Sequence, residues 1–110
     1  MKQVNVSMKD FERLDIRVAR LVAVEGIAGM KKIMKATVDL GDRTVNAIIG
    51  GGEYYKPEDL QGKLVATVAN MEPRTVAGVR SECMLLAADD RGKPIWLILP
   101  EGVAPGTKIR

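Results

Sequence analysis

The chain has 110 residues, 46% of them hydrophobic, with a net charge of +3, one cysteine and no histidine. That length makes one domain, residues 1–110, and folding buries roughly 65% of the extended surface, enough for a core without metals or disulfides. The missing histidine removes the usual general base and commonest metal ligand. With a single cysteine it also excludes thiolate zinc sites and Cys–His nucleophiles, so a binding module without a cofactor is expected rather than an enzyme.

In chain order, Met1 to Ser7 is too short and too polar for a secretory leader, and no apolar run approaches membrane-spanning length. Met8 to Leu14 predicts a short amphipathic helix, with Ser7 as N-cap and Asp10 in the first turn. "DIRVARLVAVE" predicts a long strand that bends or bulges where its alternation slips. "GIAGMKK", Gly26 to Lys32, reads as a glycine-marked connecting loop. "IMKATVDL" alternates cleanly, with Met34, Ala36, Val38 and Leu40 on one face and Lys35, Thr37 and Asp39 on the other. The turn Gly41 to Arg43 leads into "TVNAII" and makes a hairpin.

Gly50 to Gly52 lacks the Gly-x-Gly-x-x-Gly spacing of a dinucleotide loop, and Pro57 with Glu58 and Asp59 starts a single helical turn. "KLVATVA" is the fourth strand, "NMEPRTVAGVRSE" a loop and "CMLLAAD" the fifth strand. The lone Cys83 fits a reducing compartment, the cytoplasm. "DRGKP" turns the chain into "IWLIL", and Pro105-Gly106 introduces "TKI". Five main strands with a short helix between the third and fourth predict an all-β fold, an OB-fold five-stranded Greek-key barrel with an N-terminal helix and a C-terminal extension. An SH3-like barrel is the alternative.

OB-folds grip oligonucleotides across strands two and three, between the loops joining strands one to two and four to five. Lys31, Lys32 and Lys35 sit around the first such loop, without an acid between Gly26 and Val38. They form either a phosphate-attracting edge or a solvated basic loop. Arg74 and Arg80 flank Gly78 in the second loop, either as phosphate forks or as partners of Glu72 and Glu82. Ser81 is a hydroxyl donor or a turn residue, and Met84 packs on a base or into the core. The only aromatics are Phe11, Tyr54, Tyr55 and Trp96, none of them on strands two or three, which argues against stacking-driven binding of generic single strands. Val4, Val6, Phe11 and "IWLIL" offer apolar surface beyond what a small barrel covers, and so predict a homodimer.

"DFERLDIRVARLVAVE", "VDLG", "YYKPEDLQGKLVATVANMEPRTVAGVRSECMLLAADD" and "LPEGVAPGTKI" together resemble the tRNA-binding domain family over nearly the whole chain. That family includes stand-alone dimeric tRNA-binding proteins, the C-terminal appendix of methionyl-tRNA synthetases and related secretion chaperone-like proteins. The resemblance implies a homodimer that binds tRNA by its structure and assists an aminoacyl-tRNA synthetase of the methionyl type. Its alternative implication is a chaperone-like dimer that binds peptides or unfolded precursors. The family's Ser-x-Gly-Met element falls on Ser81 to Met84, with Cys83 in place of glycine, and its basic groove residues fall on Lys31, Lys32, Arg74 and Arg80. Two other motifs also differ from the family pattern, at Ile27 to Ile33 and at Ile48 to Gly52.

Overall fold

The computed structural model describes residues 4–110. Residues 1–3, the start of the polar Met1–Ser7 stretch, lie outside the described residues. The first helix, α1 (Met8–Phe11), is capped by the Ser7 hydroxyl, which accepts from the Asp10 N–H at 3.1 Å. It ends at Phe11 rather than Leu14, because four residues bury no side chain that would sustain a longer helix.

Five strands, β1 (Ile16–Ile27), β2 (Met30–Asp39), β3 (Thr44–Gly50), β4 (Leu64–Val68) and β10 (Ile98–Leu99), form an antiparallel ladder in the order β10-β4-β1-β2-β3. The all-β architecture is as expected, and so is the single turn of helix, α2 (Pro57–Leu60), between the third and fourth strands. The predicted face of β2 is also observed: Met34, Ala36, Val38 and Leu40 are buried, and they pack with Leu21, Ala47, Ile49 and Val65 in one core. Strand β1 slips register between Leu21 and Ala23, and the skipped Val22 is exposed. This is the bulge its broken alternation predicts.

The ladder does not close into a barrel, because the outer edge of β4 is shared. Its first half pairs with β10, through Ile98↔Val65, and its second half with β7 (Met84–Leu85), through Thr67↔Leu85. The expected fifth strand is therefore split. Leu86 breaks it, donating its N–H to Ala66 O, and β8 (Ala87–Asp90) continues as a separate hairpin with β9 (Lys93–Trp96). The gap between β3 and the chain before β7 is crossed by two bonds. Glu82 N–H donates to Asn46 O at 3.0 Å, and Ile48 N–H donates to Ser81 Oγ at 3.1 Å.

The start of β1, Ile16 to Ala19, is paired with β4 but not reached by β2, and there its other edge is covered by the C-terminal extension. Val18 N–H donates to Thr107 O, Gly106 N–H to Val18 O and Ile109 N–H to Ile16 O. Gly41 and Gly106 meet there so closely that a Cβ on Gly41 would lie 2.7 Å from the Gly106 Cα. Both positions have positive φ, so glycine is required twice over. Beside this contact Arg17 holds Asp15 through two nitrogens, Asp42 at 2.9 Å and Leu40 O at 3.0 Å.

Two expected loops are structured. The Gly26–Lys32 connection is almost entirely strand: β1 reaches Ile27 and β2 starts at Met30, leaving Ala28 and Gly29 as a tight turn with Gly29 at φ 79°. The Asn70–Glu82 loop contains a hairpin of β5 (Arg74–Val76) and β6 (Val79–Ser81). Its turn residues, Ala77 and Gly78, both have positive φ, as a two-residue hairpin turn of the primed type demands. Alanine in that conformation costs about 1 kcal/mol, and the ladder holds it there.

Candidate nucleic-acid interface

Lys31 and Lys32 owe their placement to a jump in register. Gly26 pairs with Met34, but the next residue of β1, Ile27, pairs with Met30. Lys31, Lys32 and Ile33 therefore have no partner on β1 and bulge from the ladder, while Ile33 still pairs with Gly50 of β3. Both lysines are exposed, and neither is in an ion pair among the described residues. Lys35 differs. It is half-buried, stands opposite Glu25 in the ladder and approaches that carboxylate to 3.7 Å, so part of its charge is already offset.

The outward face of the β2–β3 hairpin carries Lys35 and Thr37 opposite Ile48 and Asn46. The β5–β6 ribbon joins β3 through Ser81, and its register sorts the two arginines. Arg74 is paired with Ser81, and Arg80 with Thr75. Because residues directly opposite share a face and neighbours alternate, Arg74 and Ser81 face one way and Arg80 the other.

A cleft of about 210 Å³ opens on the Arg74 side, lined by Ile48, Met71, Glu72, Arg74, Ser81, Cys83 and Met84. The structure thus brings Arg74, Ser81 and Met84 together and leaves Arg80 outside. Arg80 instead lies 3.5 Å from the Glu82 carboxylate, the pairing that the sequence left open. Met84 is 44% exposed and Met71 41%, so two thioethers stand at the mouth of the cleft rather than in the core.

Ser81 is buried and its oxygen already accepts from Ile48, so it ties β6 to β3 and keeps its hydroxyl proton and one lone pair for a ligand. Cys83 belongs to the core. Burial pushes its thiol up to about 11, against the opposing charge of Arg43, so it stays protonated at neutral pH. Its backbone is outside the left-handed region, so the departure from glycine costs no backbone strain. Ile48 and Met71 were not singled out from the sequence. Strand alternation opposite Lys35 identifies Ile48, whereas nothing local to Met71 marks it.

A second, more apolar cleft of about 510 Å³ shares Met84 and runs between Gly50, Gly51, Leu86, Pro94 and Trp96. Among the described residues no group of acidic, cysteine or histidine side chains is placed to hold a metal ion. No helix is long and apolar enough to cross a membrane.

An all-β domain with unpaired cations projecting from a strand bulge, beside a half-apolar cleft rimmed by an arginine, is a binding domain for an extended or folded polyanion. The family model of the tRNA binding domain matches residues 16–108, and the chain belongs to that family. A methionine–tRNA ligase of Archaeoglobus fulgidus is 40% identical over 94% of this chain, which spans only 16% of that enzyme. Among solved structures, the MetRS related protein of Pyrococcus horikoshii superposes with a TM-score of 0.93 at 28% identity, covering 98% of this chain and 100% of that one. The chaperone CsaA of Bacillus anthracis superposes with a TM-score of 0.86 at 27% identity, covering 97% and 100%.

Proposed function

We propose that the chain is a non-catalytic tRNA-binding module of the cytoplasm that recognises tRNA by its folded shape and assists a methionyl-type aminoacyl-tRNA synthetase, in cis or as a separate subunit. The observation that carries this reading is the family match together with the placement of Lys31, Lys32 and Arg74. These are cations that no acid of the described residues neutralises, on elements flanking one outward sheet face. The lysines act as point charges on phosphates, and Arg74 forks onto a phosphate or a base edge over the cleft. Met71 and Met84 supply sequence-tolerant apolar contact. The test is filter binding of unfractionated tRNA across a salt series. Binding that falls steeply with salt is the expected result, and no binding at low salt overturns the reading.

The module acts as a homodimer. Val4, Val6 and Met8 are exposed near the N-terminus, and Ile95, Leu97 and Ile98 are exposed on and beside the edge strand β10. Pairing of those surfaces in a second copy buries apolar area and covers an open edge. Sedimentation at micromolar concentration should give a dimer; a monomer refutes this part.

A chaperone-like reading is the alternative, favoured by the likeness to CsaA and by the larger apolar cleft. Pull-down with the native protein separates the two readings: tRNA or a synthetase supports the first, and unfolded precursors support the second.

A further inference from the structure

Of the four aromatic residues, Tyr54 alone is exposed, at 51%. Its setting is built. The N–H groups of Tyr54 and Tyr55 both donate to Gly51 O at 2.9 Å, folding the chain into a tight turn. The Tyr55 ring is fixed by its hydroxyl, which donates to Pro94 O at 2.8 Å. Lys93 Nζ lies 5.7 Å from the centroids of both tyrosine rings. The same turn is clamped to the lysine bulge, for Gly52 N–H donates to Lys32 O at 3.1 Å. A Cβ at Gly52 would come 2.6 Å from Lys31 O, so only glycine permits this approach.

The fold thereby places beside Lys31 and Lys32 the aromatic ring that strands two and three lack. Lys93 is a third cation that enters no ion pair among the described residues. Glu53 adjoins Tyr54 in the chain, and Asp90 faces Lys93 in the β8–β9 ladder. Asp90 disfavours phosphate on the hairpin side, whereas Glu53 follows the clamped Gly52 and is outnumbered there by Lys31 and Lys32, so the lysine bulge is the approach for phosphate. An exposed ring with cations on one side matches a nucleotide, whose base has a π-face and whose backbone carries the charge.

We propose that Tyr54, backed by Lys93, is a stacking platform for an unpaired nucleotide of the bound RNA, with the flanking phosphates directed to Lys31 and Lys32. The proposal rests on the tRNA-binding reading above and adds a site that recognises single-stranded character. It separates a contact with an exposed base from contact with a duplex backbone, which has no free face to offer.

The experiment compares the parent with Tyr54→Phe, Tyr54→Leu and Tyr54→Ala, each checked by thermal unfolding, for binding of unfractionated tRNA and of a fully paired RNA duplex. Tyr54→Leu keeps apolar contact with the turn and serves if the alanine variant is unstable. Loss of the ring should weaken tRNA binding roughly tenfold with an unchanged salt slope, since no charge is removed, and leave duplex binding unaltered. Tyr54→Phe should stay within about twofold of the parent, because the stacking face remains.

Undiminished tRNA affinity in Tyr54→Ala or Tyr54→Leu overturns the platform while the tRNA reading stands. Equal losses for tRNA and duplex overturn it as well, since the contact would not require an unpaired base. A parent protein that binds no tRNA but captures unfolded polypeptide through Tyr54 overturns both.

Discussion

Replacing Arg17 by methionine should cost about 2–3 kcal/mol of stability at neutral pH, a value discounted from fully buried pairs because part of the network reaches solvent. Arg17 is 16% exposed, and its guanidinium joins the start of β1, through Asp15, to the β2–β3 turn, through Asp42 and Leu40 O. Methionine preserves the packing of the stem but leaves Asp15 half-buried with only Lys108, at 3.3 Å, as a partner.

The pH dependence tests the cause. Hydrogen bonding to Arg17, and after it Lys108, holds the Asp15 carboxyl below its ordinary 3.8, against the upward push of burial. A carboxyl depressed in the folded state contributes fully above its unfolded value and loses that contribution as pH falls through the folded one. The gap between parent and variant should therefore be constant from about pH 5 to 8 and narrow below about pH 4. Urea unfolding at both ends of that range checks it. A gap below about 0.5 kcal/mol at neutral pH, within the ordinary scatter of surface changes, or one insensitive to acid, would refute the assignment.

The double replacement Lys31→Glu and Lys32→Glu should weaken tRNA binding roughly 10- to 100-fold near 0.1 M salt, and lower the salt slope by about two units, one for each lost phosphate contact. Both side chains are exposed on a bulge outside the β1 pairing, so the folded state should keep its stability within about 0.5 kcal/mol. Arg74→Ala should weaken binding more than Arg80→Ala, because Arg80 faces away from the cleft and already lies near Glu82. Equal effects of the two arginines, or a lysine variant that binds like the parent, would remove this surface from consideration.

The strands were legible because burial imposes a period that the residues must carry. Met34, Ala36, Val38 and Leu40 announce their face, and the slip around Val22 announces its bulge. What was not legible depends on partners remote in sequence. Gly26 reads as a loop signal, yet it pairs with Met34 and the turn falls at Ala28–Gly29, because glycine marks permission to turn rather than the turn itself. The split of the fifth strand at Leu86 follows from Ala66 receiving its N–H, and no local pattern around Leu86 reveals that. The same limit applies to the surface. Charge identified Lys31, Lys32, Arg74 and Arg80, but only the cross-strand register separates Arg74 from Arg80. Tyr54 is visible in the sequence as an aromatic, but it falls on neither strand two nor strand three. A glycine contact across the fold returns it to the lysines.

The register jump at Lys31–Ile33 also decouples length from fold. Strand β1 is paired up to Gly26 with Met34, and again at Ile27 with Met30, so the residues between enter no β1 pair. An insertion or deletion confined to Lys31 and Lys32 would leave the register of Met34 to Asp39, and with it the core face, where it is. Almost anywhere else in β2 a one-residue change would turn the apolar side chains outward. This hairpin tip is therefore a place where the domain can change the reach and spacing of its charges by changing its length, with the other strands of the sheet held fixed.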